Sequence, residues 1–288
     1  MASLLVMGAT GLLGNRLVPH LIGSGHSVKT LSRAGRSSFS VDASHESELF
    51  EALSGEKFDS IINLIALTDV DMCERNPELA NLVNVKTVEN VVSWIRNFCP
   101  EAHLLQISTD QVYDGQGPHE ERNVNIVNHY GRTKYAGELA AQLVSATVLR
   151  TNFVGRSSAH GVAGFSDWLF SSLTMKKEIQ VLNDVMFSPV AIETLCLVLT
   201  ELITRRPIGV FNLGSNLGMS KADFSFEFAK QLGLQTSSMS RINLEDAKFF
   251  DVKRPKDMRM ISSKLELELG IRLPMLVDEI RKVVKEYE

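Results

Sequence analysis

A chain of 288 residues has room for one large α/β domain, or for one such domain with a smaller lobe. Apolar residues make up 44% and charged residues 22%, which suits a packed core and excludes a disordered chain. The formal net charge of −4 gives no general pull toward nucleic acid or membrane surfaces, so neither is an expected partner.

Ser3–Met7 is a compact apolar run stopped by Gly8, with no basic segment before it, so no signal peptide is expected. A helical pattern follows over Gly11–Ile22, carried by Leu12, Leu13, Leu17, Leu21 and Ile22. His26–Leu31 is a second strand, Ser47–Leu53 a short helix and Ser60–Leu64 a buried strand. Pro77–Phe98 has the apolar spacing of one long amphipathic helix. His103–Ser108 is a strand, Tyr130–Val144 a helix and Thr147–Arg150 another strand. Strands that are continuous apolar runs, alternating with helices, imply a doubly wound parallel sheet of Rossmann type, buried on both faces. Past residue 155 the pattern loosens into the Gly-, Ser- and Ala-rich stretch Gly155–Gly164. Then come a strand at Phe211–Leu213, a helix over Ser220–Leu234 and an amphipathic helix over Leu276–Tyr287. The expected division is a cofactor domain of residues 1–155 with about 180–212, and a small C-terminal α/β substrate lobe of about 156–179 and 213–288. The apolar stretches Ile61–Leu67 and Leu195–Leu199 are too short to span a bilayer. Cys73, Cys99 and Cys196 are scattered without metal spacing and read as reduced thiols of a cytoplasmic protein.

After the first strand the chain reads Gly8-Ala9-Thr10-Gly11-Leu12-Leu13-Gly14. Glycines three apart at a strand-to-helix turn let the backbone approach a pyrophosphate and present it with a helix N-terminus. The second strand ends in Ser32-Arg33-Ala34-Gly35-Arg36, where an NAD site usually carries a carboxylate. A hydroxyl and a guanidinium suit a 2′-phosphate instead, so NADP(H) is expected over NAD(H). Asp42 follows in a position to receive the adenine amino group.

Tyr130 and Lys134 stand four apart, on one face of the predicted helix. A phenol has an ordinary pKa near ~10, and a neighbouring ammonium lowers it toward useful acid-base chemistry. Lysine can also hold the nicotinamide ribose. A third polar group is expected from the preceding strand end, where Ser108 or Thr109 lies at the carboxyl edge of a parallel sheet.

These residues resemble the extended short-chain dehydrogenase/reductases and, more narrowly, the dTDP-4-dehydrorhamnose reductases. The likeness runs through Gly8–Gly14, Asn63–Ala66, Thr68–Glu74, Asn84, Ser108–Gly115, Tyr130–Lys134, Leu149–Phe153 and Arg254-Pro255. Ser108–Gly115 is the most specific part, with Gln111 and Tyr113 as departures, and Phe153 falls where the family often has tryptophan. The resemblance implies that Leu12, Leu13, Arg33, Asp42, Ala43, Leu64, Ile65 and Ala66 line the cofactor, with Gly8, Thr10, Gly11, Gly14 and Ser32 around its phosphates. It implies Tyr130 as the acid, Lys134 as its partner, and Thr109 and Asp110 near the keto group. Phe153 would lie beside the sugar. Arg254 is either a salt-bridge anchor of the lobe or a contact to the substrate diphosphate. The implied reaction is NADPH-dependent reduction of a nucleotide-linked 4-keto-6-deoxy sugar, without a catalytic metal and with a homodimer as one expected assembly. The rival readings are a non-catalytic regulatory subunit of Rossmann type and a nucleotide-sugar epimerase. Of the remaining residues, His129 is expected to be solvated, Asp184 to pack, and Met175, Met186, Met258 and Met260 to lie in the core or line the site.

Overall fold

The computed structural model covers residues 1–288 and describes all of them except Ala34, His160 and Val162. The chain begins β1 (Ser3–Met7), α1 (Gly14–Gly23), β2 (Ser27–Ser32), β3 (Phe39–Ser40), α2 (Glu46–Ala52) and β4 (Ser60–Asn63). Next come α3 (Val70–Arg75), α4 (Pro77–Asn81), a π-helical turn (Leu82–Lys86), α5 (Thr87–Phe98), β5 (His103–Thr109), α6 (His129–Ala141) and β6 (Ala146–Thr151). The remainder is β7 (Phe153–Val154), α7 (Phe165–Thr174), β8 (Ile179–Leu182), β9 (Met186–Phe187), β10 (Val190–Ala191) and α8 (Ile192–Arg205). It closes with β11 (Gly209–Leu213), β12 (Met219–Ser220), α9 (Lys221–Gln231), β13 (Met239–Ile242), α10 (Ser263–Leu269) and α11 (Leu276–Val284).

The chain divides into two compact units. The first comprises Met1–Thr109, Asn128–Arg150 and Cys196–Phe211; the second comprises Asp110–Val127, Thr151–Leu195 and Asn212–Glu288. The central sheet has seven strands in the order β3-β2-β1-β4-β5-β6-β11. β1 pairs in parallel with β2 on one side and β4 on the other, and β5 continues in parallel from β4. The strand order reverses between β1 and β4, which makes the carboxyl end of β1 the topological switch point where such sheets bind ligands. β4, β5 and β6 are buried along their whole lengths, as expected of a parallel sheet covered on both faces. Leu5, Met7, Leu31, Ile61, Trp94 and Ile95 are among the core residues of this unit.

In the second unit, short strand pairs replace a large sheet. β8 and β13 pair in parallel, β7 and β10 likewise, and β9 and β12 antiparallel. Its core joins Phe187, Phe224 and Phe228 to Leu276, Ile280 and Val283, the apolar stripe of α11. Ser220 caps α9 by accepting from the Asp223 amide at 3.0 Å.

Two expectations about helices change. The helix predicted from Gly11 starts at Gly14, because residues 10–13 form the turn itself. The long helix predicted over Pro77–Phe98 is interrupted by the π-helical turn, where one extra residue per turn rotates Asn84 inward. Met175 is also corrected: it follows the last residue of α7 and is 64% exposed, not core. Met258 and Met260 are buried, and Asp184 packs by accepting from the Leu244 amide and pairing with Lys256.

Candidate active site

Gly8 has φ of +78°, a conformation that favours glycine, and its amide donates to the Leu31 carbonyl at 2.8 Å. The turn then closes through Gly11 N donating to the Gly8 carbonyl at 3.1 Å. At Gly14 a Cβ would stand 2.5 Å from the carbonyl oxygens of both Gly8 and Ala9, so only glycine lets α1 start this close to the turn. Helix α1 has no side-chain cap and no acidic residue in its first turn, which leaves its N-terminus suited to an anion. Thr10 is exposed beside it, Gly11 and Leu12 are half-buried, and Leu13 and Gly14 are buried. Gly14→Ala is therefore expected to weaken dinucleotide binding by more than ~10-fold, measured by quenching or enhancement of the dinucleotide's fluorescence on titration.

At the end of β2, Ser32 is buried, 2.8 Å from the Ser37 hydroxyl. Arg33 is exposed and lies 3.9 Å from Asp42; Ala34 lies outside the described residues. Burial pushes the Asp42 carboxyl up, but the Ser44 hydroxyl and amide, with Arg33 and His45, hold it below its ordinary value. Ala43 is buried, and Asn90 fixes this corner by donating to the carbonyls of Ala43 at 3.0 Å and Ser44 at 2.9 Å.

After β4, the Asn63 side chain accepts from the Ile65 amide at 3.1 Å and donates to Gln106 at 2.8 Å. Leu64, Ile65 and Ala66 are half-buried along the segment it shapes. Asn84 holds the end of that segment: it accepts from the Leu67 amide at 2.8 Å and donates to the Leu67 carbonyl at 3.1 Å. The same amide donates to the Thr133 hydroxyl at 3.0 Å, and Thr133 in turn donates to the Tyr130 carbonyl. The π-helical turn thus ties the loop after β4 to the helix that carries Tyr130.

Helix α6 starts where Asn128 accepts from the Gly131 amide at 2.8 Å. Tyr130 and Lys134 are both buried, one turn apart. The Lys134 ammonium donates to the Ile107 carbonyl at 2.7 Å, one strand residue before Ser108. Burial lowers its pKa to about 8, with Glu138 pulling it back up. Thr109 is buried at the last position of β5. His129, expected in solvent, is half-buried: its Nε2 is buried without a partner among the described residues, and its backbone amide donates to Glu74 of the neighbouring helix α3 at 2.9 Å. In the Thr68–Glu74 segment, Asp69 caps α3 by accepting from the Met72 amide.

The second unit carries the other residues singled out by sequence. Asp110 is buried and accepts from the Asn152 amide at 2.7 Å. Phe153 is half-buried at the start of β7. The Arg254 guanidinium lies 4.8 Å from the centre of the Phe250 ring and donates to the Val252 carbonyl at 3.4 Å. Sequence reading passed over Lys221. Its ammonium sits over the rings of Phe165 and Phe187, at 5.5 and 5.8 Å. It makes no hydrogen bond or ion pair among the described residues. Burial lowers its pKa, Asp110 opposes this and Arg254 adds to it. Lys221 helps to line a cavity of about 1230 Å³ with Phe165, Trp168, Phe249 and Phe250. An aromatic cavity with a cation at its wall suits an anion attached to a flat ring. Among the described residues, no cluster of three His, Cys, Asp or Glu side chains could hold a metal ion.

The family model described as the RmlD substrate binding domain matches residues 1–288. The chain belongs to that family. Relatives within reach include a probable low-salt glycan biosynthesis reductase, Agl14, from Haloferax volcanii, 29% identical over 96% of this chain and 95% of that protein. The dTDP-4-dehydrorhamnose reductase of Escherichia coli is 25% identical over 99% of this chain and 97% of its own length. Methionine adenosyltransferase 2 subunit beta of Xenopus laevis is 28% identical over 95% of this chain and 84% of that protein. Among solved structures, dTDP-4-dehydrorhamnose reductase from Bacillus anthracis in complex with NADP superimposes with a TM-score of 0.89. It is 22% identical and covers 99% of this chain and 100% of its own. That likeness confirms the RmlD-type fold.

Proposed function

We propose that this member of the RmlD family is an NADPH-dependent reductase of a nucleotide-linked 4-keto-6-deoxy sugar. The observation that carries the reading is the buried Tyr130 and Lys134 on α6, with the Lys134 ammonium fixed to the carbonyl end of β5 beside Thr109. Bound NADPH supplies the hydride for the carbonyl carbon. Tyr130 donates its phenolic proton to the carbonyl oxygen, and Thr109 donates a hydrogen bond to the same oxygen. Lys134 stabilises the phenolate left behind, and solvent returns the proton. The cradle fits a dinucleotide: glycine at position 14 allows close packing between the start of α1 and the Gly8–Ala9 backbone, and the α1 N-terminus has no side-chain cap and no acidic residue in its first turn. The second unit would hold the nucleotide half of the substrate, with Lys221 and Arg254 toward its phosphates and Asp110 and Phe153 toward the sugar. The relatives named as reductases support this reading. A homodimer and a cytoplasmic location belong to the same proposal.

The similarity to a methionine adenosyltransferase subunit favours one second reading, a regulator that keeps the fold without turnover. One assay separates them: NADPH oxidation against dTDP-, GDP- and UDP-linked keto sugars and the free keto sugar. Turnover with one nucleotide-linked sugar and little with the free sugar supports the reductase. Absence of turnover together with a stably co-purifying enzyme supports the regulator, and net-zero NADPH consumption with sugar interconversion supports an epimerase.

Two expectations follow from the cofactor and proton sites. Arg33 stands where NAD sites carry an acid, so NADPH is expected to bind tighter than NADH, and Arg33→Asp to erode the difference. Dissociation constants measured by calorimetry check this, and equal values for both cofactors in the unaltered chain would refute it. Turnover is expected to fall as pH rises through about 8. The Lys134 pKa is lowered from 10.5 to about 8, so its ammonium is present below that pH and lost above it. The alkaline limb of kcat reads this out.

A further inference from the structure

Glu138 follows Lys134 by one turn of α6 and is fully buried. Its carboxylate receives Nε of Arg150 at 2.9 Å and Nη2 at 2.6 Å, and the Ser108 hydroxyl donates to the same carboxylate. Arg150 and Ser108 are themselves buried. One carboxylate therefore touches three elements: the helix carrying Tyr130 and Lys134, strand β6, and the end of β5 immediately before Thr109. A buried ion pair is weak evidence for stability, since apolar residues of the same volume often do as well. Placed under a catalytic lysine, it has another use.

We infer that Glu138 is a positioning residue for the proton transfer, its fixed carboxylate keeping Lys134 charged and holding the Ser108–Thr109 strand end against the helix of Tyr130. The kinetic part of this inference rests on the proposed reductase activity; the part concerning Lys134 does not. The hydrogen bond of Lys134 is to an uncharged carbonyl, which by itself compensates poorly for a buried ammonium. Tyr130 and Glu138 lie one turn to either side of it on its own helix, and Arg150 on β6 pairs with the carboxylate. β5 offers the Ile107 carbonyl, its one ionisable side chain, His103, lying four residues earlier. On the helices packed against α6, Asp71 is half-buried, and Glu74, Arg75, Glu78, Lys86, Glu89 and Arg96 are exposed. Among the described residues of α6, β5, β6 and the helices packed against α6, Glu138 is the fully buried carboxylate, and two donors, Arg150 and Ser108, hold it in position.

The test reads Lys134 directly, by NMR of the full chain labelled with lysine carrying ¹³C at Cε, the Lys134 signal being identified by its loss in Lys134→Met. In the unaltered protein the proton is expected to leave near pH 8. Glu138→Gln is expected to bring that release about one pH unit lower or more. The alkaline limb of kcat should move with it, while KM for the nucleotide sugar stays within about 2-fold. Because this variant leaves Arg150 as an uncompensated buried cation, Glu138→Met with Arg150→Met removes the pair together and should show a smaller displacement in the same direction in a folded chain. Ser108→Ala leaves the pair intact and is expected to lower kcat about 10-fold with KM unchanged. Release of the Lys134 proton at an unchanged pH in either folded pair variant overturns the inference. If neither pair variant folds, an unchanged kcat in Ser108→Ala overturns it. A displaced Lys134 titration in a protein that reduces no keto sugar would defeat the reductase reading and leave the hold of Glu138 on Lys134 standing.

Discussion

Replacing Tyr130 with phenylalanine is expected to lower turnover by roughly 10²–10⁴-fold, the usual worth of a positioned acid. The ring is buried on α6, so phenylalanine keeps the packing and removes the hydroxyl alone. Dinucleotide binding should survive, since the cradle at Gly8–Gly14 is built from backbone and does not use the phenol. The measurement is steady-state kinetics beside a cofactor titration on the same preparation. A variant turning over within about 3-fold of the unaltered chain would remove Tyr130 from the chemistry. Loss of cofactor binding in step with turnover would instead make Tyr130 a structural residue.

Arg150→Met is expected to cost about 3–5 kcal/mol of stability, because it strands the Glu138 carboxylate without its cation in a fully buried place. For a chain of this size that is a fall in Tm of roughly 5–8 °C. Exposed pairs make the contrast. Arg205 and Glu201, both near half exposed at 3.4 Å, should change stability by less than about 1 kcal/mol when either is replaced. Thermal unfolding of the two variants side by side checks this. Equal losses at the buried and exposed pairs would mean that the Arg150 site relaxes and lets water in.

The sequence alone determined the sheet, the cradle and the pairing of Tyr130 with Lys134. β1, β4, β5 and β6 each carry adjacent apolar residues rather than an alternation, and burial on both faces is the condition that produces such a pattern. Gly8 and Gly14 are visible because a positive φ at the first and a close backbone approach at the second select glycine. Lys134 follows Tyr130 by one helical turn, so a purely local rule places them together.

Other features depended on long-range contacts, and no local pattern contained them. Val83 and Val88 continue the helical stripe through the π-helical turn, so periodicity predicted one helix. The turn is defined by Asn84 reaching the Leu67 backbone, 17 positions away. Glu138, in a polar helix, and Lys221, at a helix start, have nothing local in the sequence that sets them apart from other charged residues. Their burial depends on Arg150 for one and on the rings of Phe165 and Phe187 for the other. Charge is costly to bury, so a sequence rule rightly assigns it to the surface. Only the folded chain shows where a partner, or a ligand yet to bind, offsets that cost.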